Sequence, residues 1–293
     1  MNPNKGNNFT INKRTMKKVW LITGCSTGFG RELATYVLAQ GHKAAVAARN
    51  TEDVEDIIAG NENDAVAIKL DVTKPEQIKH AIQETMKKFG RIDVLVNNAG
   101  IGYFGAIEES EDAAVRNMFE INFFGLAKMI QETLPVMRAQ KSGHIVNIAS
   151  IGGFVGFPGV GFYNATKFAV DGLSESLAKE TAPLGIKVTI VAPSGFRTDW
   201  AGRSATNSPI VIEDYSTTAA KNKSDIRGSS GNQPGDPARA AQAIVKAVEA
   251  ENPPLRLLLG AGALKGARIK LDQLKKDFDT WEETTLWADA PKA

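Results

Sequence analysis

A chain of 293 residues with 43% hydrophobic side chains is long and apolar enough to bury a sizeable core, which excludes wholesale disorder. Thirty-five Lys and Arg against 33 Asp and Glu leave a formal charge of +2, so a nucleic-acid partner has no polybasic footprint here. The single cysteine excludes an internal disulfide and a cysteine-rich zinc site, and no apolar run approaches the roughly 18 residues of a membrane helix. Residues 1–15, MNPNKGNNFTINKRT, are polar and lack the apolar core of a secretory signal. They read as a disordered leader before a folded, cytoplasmic chain that begins near Met16.

Strands are expected at Val19–Thr23, Lys43–Ala48, Ala65–Leu70, Ile92–Asn97, His144–Ser150, Lys187–Ala192 and Leu255–Leu259. Helical patterns fall between them at Gly30–Ala39, Thr51–Ala59, Pro75–Phe89, Glu111–Arg138, Phe162–Thr181 and Pro237–Ala250. The strand runs are almost continuously apolar, as strands covered on both faces are. Strand–helix alternation predicts an α/β fold: a single doubly wound Rossmann domain with a parallel sheet of about seven strands. No linker or internal repeat divides it.

Two segments break the rhythm. Thr198–Gly235 is long, polar and without strong periodicity; a stretch like this inside a compact domain is expected to be functional or mobile. Ala263–Trp287 has apolar residues at helical spacing and predicts one more amphipathic helix, followed by a loose tail.

The first strand runs into TGCSTGFG (Thr23–Gly30) and then a helix. A helix start exposes unpaired N–H groups and the positive end of its dipole, and glycine lets an anion approach them. The corner is therefore either a dinucleotide site or a tight turn. Cys25 inside it reads as a small turn residue rather than a redox group. Where an NAD-type strand would end in an acidic residue, the second strand ends Ala47-Ala48-Arg49-Asn50, and a guanidinium suits a 2′-phosphate. Arg49 thus points to NADP(H), unless it is simply solvated. Asp71 either accepts a hydrogen bond from adenine or caps the Pro75 helix. Asn97-Asn98-Ala99-Gly100 offers backbone on which a ligand can lie, or a plain turn.

Tyr163 and Lys167 are four apart in YNATK and share one helix face. An ammonium beside a phenol lowers the tyrosine pKa from about 10 toward the working range, making Tyr163 a general acid or base. Ser150 ends a strand at the edge where parallel sheets bind ligands, so its hydroxyl can hold the substrate oxygen. His42, His80 and His144 show no metal-ligand spacing and read as ordinary.

Taken together, TGCSTGFG, NNAG, Asn122 in FEINFFG, Ser150, and Tyr163 with Lys167 resemble the short-chain dehydrogenase/reductase family of the classical type, over about Lys17 to Pro254. PSGFRTDW and the later SGNQPGDPARAAQAI are similar to bacterial members labelled retinol- or steroid-dehydrogenase-like. The resemblance implies catalytic roles for Asn122, Ser150, Tyr163 and Lys167. It implies cofactor contacts from Gly24, Ser26, Thr27, Gly28, Phe29, Gly30, Arg49, Asp71, Val72, Asn98, Ala99, Gly100, Tyr163, Lys167, Pro193 and Thr198, and no metal. Ser194 stands where the family has glycine. The expectation is an NADP(H)-dependent oxidoreductase acting on CH–OH groups and their carbonyls, with Thr198–Gly235 as substrate lid. The resemblance also implies a homodimer or homotetramer built on the Glu111–Arg138 and Phe162–Thr181 helices. Rival readings are an NADP(H) sensor without catalysis, an NAD-dependent alcohol dehydrogenase, or an epimerase or dehydratase on the same fold.

Overall fold

The computed structural model describes residues 17–290, so the leader expected over 1–15 and the start at Met16 lie outside the described residues. The chain runs β1 (Val19–Thr23), α1 (Gly28–Ala39), β2 (Lys43–Ala48), a short α2 (Glu55–Ile58), β3 (Ala65–Lys69), α3 (Pro75–Phe89) and β4 (Val94–Asn97). It continues through β5 (Gly102–Phe104), α4 (Asp112–Phe119), α5 (Leu126–Gln140), β6 (Gly143–Ile148), α6 (Gly161–Thr181) and β7 (Ile186–Pro193). It ends with β8 (Ala205–Asn207), α7 (Lys221–Gly228), α8 (Pro237–Glu249), β9 (Arg256–Leu259), α9 (Ala261–Thr280) and α10 (Glu282–Trp287).

Seven strands form one wholly parallel sheet in the order β3-β2-β1-β4-β6-β7-β9. Alternate residues of each strand feed opposite faces, because side chains alternate across a strand. Trp20 and Ile22 pack with Leu33, Val37, Ile244 and Val248 under α1 and α8. Leu21 packs with Ile78, Met129 and Val170 under α3, α5 and α6. Both faces are therefore dry, which is why the strands lack polar alternation. The order reverses between β1 and β4, opening a crevice at their carboxyl ends where such sheets bind ligands.

Local signals set the helix ends. Pro75 opens α3 and Gly90 closes it at φ +76. Asp236 caps α8 by accepting from the Ala238 N–H at 2.9 Å.

Four expectations change. The helix expected over Glu111–Arg138 is interrupted by a π-helical turn at Glu120–Gly125, between α4 and α5. Thr51–Ala59 resolves into a 3₁₀ turn and α2. Thr198–Gly235 is not structureless: it holds β8, α7 and short helical turns, and β8 pairs in parallel with β5. A three-residue strand has too short a pattern to announce itself; it forms because Gly102–Phe104 offers it an edge. The stretch expected as one helix over Ala263–Trp287 is α9 followed by α10.

Candidate active site

The glycine corner fills the crevice beside β1. Gly24 and Gly28 take left-handed backbone at φ +70 and +60, where a side chain is strained. A Cβ on Gly30 would lie 2.4 Å from the Gly24 carbonyl oxygen and 2.5 Å from Asn98 Nδ2. Asn98 is the reason for that crowding. Its amide donates to the carbonyls of Thr23 and Gly24, both at 2.9 Å, and staples the loop to the end of β4. Thr23 Oγ1 returns the tie by accepting from the N–H groups of Asn98 and Ala99 at 3.0 and 3.1 Å. NNAG is thus a brace for the corner rather than a plain turn.

α1 opens at Thr27 with no side-chain cap and no acidic residue in its first turn. Its first N–H groups are left for an anion, and the cradle fits a dinucleotide pyrophosphate. Ser26, Thr27, Gly28 and Phe29 are half-buried along its rim. Thr198 approaches from across the crevice, its γ-methyl 3.5 Å from where a Gly28 Cβ would stand, and Phe196 meets Phe29 edge-on at 5.0 Å. Cys25 points away: its Sγ donates to the Ile22 carbonyl at 3.1 Å, and burial pushes its thiol up to about 12. It is an inert core residue.

Arg49 is exposed just past the end of β2. Asp71 does not cap α3. Its Oδ1 accepts from the Thr73 N–H and hydroxyl at 2.9 and 2.8 Å, while the position before α3 is Lys74. Val72 is buried, with its carbonyl against Gly125. Pro193 ends β7. Ser194 turns from the crevice, donating to the Leu259 carbonyl at 3.3 Å and filling the bend at Gly260, which has φ +90.

The four residues expected to be catalytic converge from three places: the π-helical turn, the end of β6 and α6. Asn122 lies in the π-helical turn, and its amide pairs with the Ile101 backbone through Oδ1 at 2.8 Å and Nδ2 at 2.9 Å. Lys167 on α6 donates to the Ile148 carbonyl at 2.9 Å, and its Nζ lies 5.7 Å from the Tyr163 ring centroid. Gly100 sits between them: a Cβ there would stand 3.3 Å from Asn122 Oδ1 and 3.7 Å from Lys167 Nζ. Ser150 Oγ accepts from the Gly152 N–H at 3.0 Å and hydrogen-bonds the Tyr163 phenol.

One expectation reverses. Tyr163 is not brought toward neutrality. Burial pushes it up to about 12, against a smaller lowering from the Ser150 hydrogen bond. Burial also brings Lys167 down to about 8. Desolvation disfavours both charged forms and is the largest cause of each shift. A stability signature follows. Between about pH 8 and 10.5 the unfolded chain holds a proton on Lys167 that the folded chain has released, so this group makes stability rise with pH across that window. The expected gain of wild type over Lys167→Met from pH 8 to 10.5 is about 3 kcal/mol, read by urea unfolding at several pH values. A difference independent of pH contradicts it.

Sequence reasoning missed several residues. Trp200 lies 4.7 Å, centroid to centroid, from the Tyr163 ring and 5.7 Å from Phe104. It leaves Tyr163 only 9% exposed. Arg227 donates to the carbonyls of Gly202 and Ala205 at 2.8 and 2.6 Å and lies over the Phe104 ring. Buried Glu109 accepts from the N–H groups of Ala106 and Ile212 at 2.8 and 2.9 Å. Beneath them Asn97 donates to Asn147 at 2.9 Å, and Asn147 to Ser174 at 2.8 Å, linking β4, β6 and α6. Only Trp200 had a visible signal, as the aromatic residue two places after Thr198. His144 is ordinary: buried, bonded to Thr189 at 2.9 Å and brought down to about 3.

A glycine-lined helix start at the switch point of a doubly wound parallel sheet defines a dinucleotide-binding oxidoreductase fold. A family model described as short chain dehydrogenase matches residues 18–208, and the chain belongs to that family. Oxidoreductase BOA17 of Botryotinia fuckeliana (strain B05.10) is 37% identical over 272 residues, which cover 92% of this chain and 99% of that protein. A 3-ketodihydrosphingosine reductase of Bacteroides thetaiotaomicron is 36% identical over 244 residues, covering 83% of this chain and 88% of its own. A short-chain dehydrogenase from Streptomyces avermitilis, known as a crystal structure, is 41% identical with a TM-score of 0.87, covering 94% of this chain and all of that one. Among more distant structures, a 3-ketoacyl-(acyl-carrier-protein) reductase from Brucella melitensis, 27% identical, is complexed with NADH. ElxO, 30% identical, has NADP bound.

Proposed function

We propose that this protein interconverts a ketone or aldehyde and the corresponding alcohol, using NADP(H) in preference to NAD(H). The observation that carries the reading is the convergence of Asn122, Ser150, Tyr163 and Lys167 beside a capless, glycine-lined helix start. When bound, the nicotinamide supplies or takes the hydride. Ser150 holds the substrate oxygen. Tyr163, kept protonated by burial, gives its phenolic proton to that oxygen during reduction and takes it back during oxidation. Lys167, tied to the Ile148 carbonyl, replenishes the proton, with Asn122 fixing the backbone beside it. We further infer that residues 198–235 form the lid of this single domain. Phe154, Val155, Phe157, Phe162 and Trp200 favour an apolar substrate, in keeping with a relative named for reducing a 3-keto group.

The test is NADPH oxidation, followed by absorbance, against aldehydes, ketones, steroids and retinoids. Turnover of at least one class is expected; NADPH binding without turnover of any favours a sensor instead. Cofactor choice has its own test. Arg49, exposed just past β2, is the residue that this reading assigns to the 2′-phosphate, since a guanidinium can hold a phosphate through paired hydrogen bonds. Arg49→Asp is expected to weaken NADPH at least ~10-fold against NADH in kcat/KM, since charged hydrogen bonds contribute about 1.5–3 kcal/mol. An unchanged ratio assigns the choice elsewhere. For assembly, this reading uses the π-helical turn and α6 as faces of a homodimer or homotetramer, which exposed Phe124 and Phe168 support.

A further inference from the structure

α9 carries Leu264, Ala267, Leu271, Leu274 and Phe278 at alternating spacings of three and four, continued by Trp281 at its C-terminal end, the seam of a two-stranded helical pair. Its first turns dock on the domain, where Ala263 and Ala267 are buried against Ile151. Then the stripe runs off the edge. From Leu271 to Ala290 every residue is exposed except half-buried Leu274. Phe278, Trp281 and Trp287 stand 67%, 63% and 85% exposed. A continuous apolar stripe of this kind marks an interaction surface.

Charge identifies what covers it. Before Asp277, α9 has five cations (Lys265, Arg268, Lys270, Lys275, Lys276) and one carboxylate, Asp272. From Asp277 to Trp287 there are four carboxylates (Asp277, Asp279, Glu282, Glu283) and no cation. α9 has no acidic residue in its first turn and no basic residue in its last, the reverse of what its own dipole favours. Within the helix Lys275 pairs with Asp279 at 2.6 Å, which engages one of the five cations and leaves the order of the rest to be explained. Laid antiparallel on a copy of itself, each basic half meets an acidic half and each apolar stripe meets its equal. A two-fold contact requires such a self-complementary patch. The carboxylates around Trp281 and Trp287 oppose an anionic lipid surface.

We propose that α9 and α10 form an interface between two copies of this chain, pairing antiparallel with the same segment of the second molecule. The test is molar mass by light scattering on the full-length chain. Leu271→Asp with Phe278→Asp is expected to halve the mass, with circular dichroism and NADPH turnover unchanged because the overhang touches no site residue. The triple variants K270E/K275E/K276E and D277K/D279K/E282K should each halve it too, and their combination should restore the wild-type mass. An unchanged mass in the apolar double variant overturns the proposal, and is the result if a lipid surface or residues 1–16 cover the stripe. Failure of the combined reversal to restore the mass overturns the antiparallel arrangement.

Discussion

Tyr163→Phe is expected to lower kcat by ~10³-fold while NADPH still binds, because it removes one oxygen and the proton that oxygen carries. The ring itself is held independently of the hydroxyl, by Trp200 on one side and Lys167 on the other. The hydroxyl, beside Ser150, carries no backbone tie of α6, so the fold and melting temperature should be nearly unaffected. Single-turnover kinetics and NADPH fluorescence separate the two effects. A variant that keeps wild-type turnover removes Tyr163 from the chemistry and leaves Ser150 and Lys167 without a proton donor between them.

Gly30→Ala is expected to damage stability and cofactor binding together. One added carbon would lie 2.4 Å from the Gly24 carbonyl and 2.5 Å from the Asn98 amide, the two partners of the staple that shapes the corner. Neither can yield alone: one is backbone, and the other is committed to Thr23 and Gly24. Overpacking of this kind costs about 1–3 kcal/mol, and the displaced helix start should weaken NADPH binding by ~10-fold or more. Gly172→Ala is the contrast. Gly172 lies within α6 with nothing within 4 Å of its Cβ position, and the same substitution should stabilise by about 0.5–1 kcal/mol. If both variants melt alike, the crowding at Gly30 is not what requires glycine there.

The sheet was legible because its strands are covered on both faces. Val19–Thr23 and Lys43–Ala48 are expected and observed with the same bounds, since continuous apolar runs between helices have no other place to go. The site residues were legible as types at spacings, but not as a physical environment. Counting charges along α6 makes Lys167 a reason for Tyr163 to ionise; burial of both, which no local pattern reports, reverses the direction. Asn98 was read as part of a ligand platform; its side-chain amide also braces the Thr23 and Gly24 carbonyls, a tie that no spacing reports. β5 and β8 were illegible because each is three residues long and exists only by pairing with the other across about a hundred positions.

The way residues 198–235 are fastened has a consequence for how this scaffold diversifies. Arg227 holds carbonyls, Glu109 holds amides, and β5 holds β8 through the main chain. Such contacts recognise the peptide unit, which is common to every amino acid, and they add to the side-chain ties that Ser208, Tyr215 and Asn222 make to Glu109, Glu108 and Pro158. Positions between these anchors can vary without breaking a main-chain tie, whereas Trp200, packed on the Tyr163 ring at 4.7 Å, cannot vary without changing how that ring is covered. Under the lid reading proposed above, the anchoring leaves the segment open to change between its fixed points.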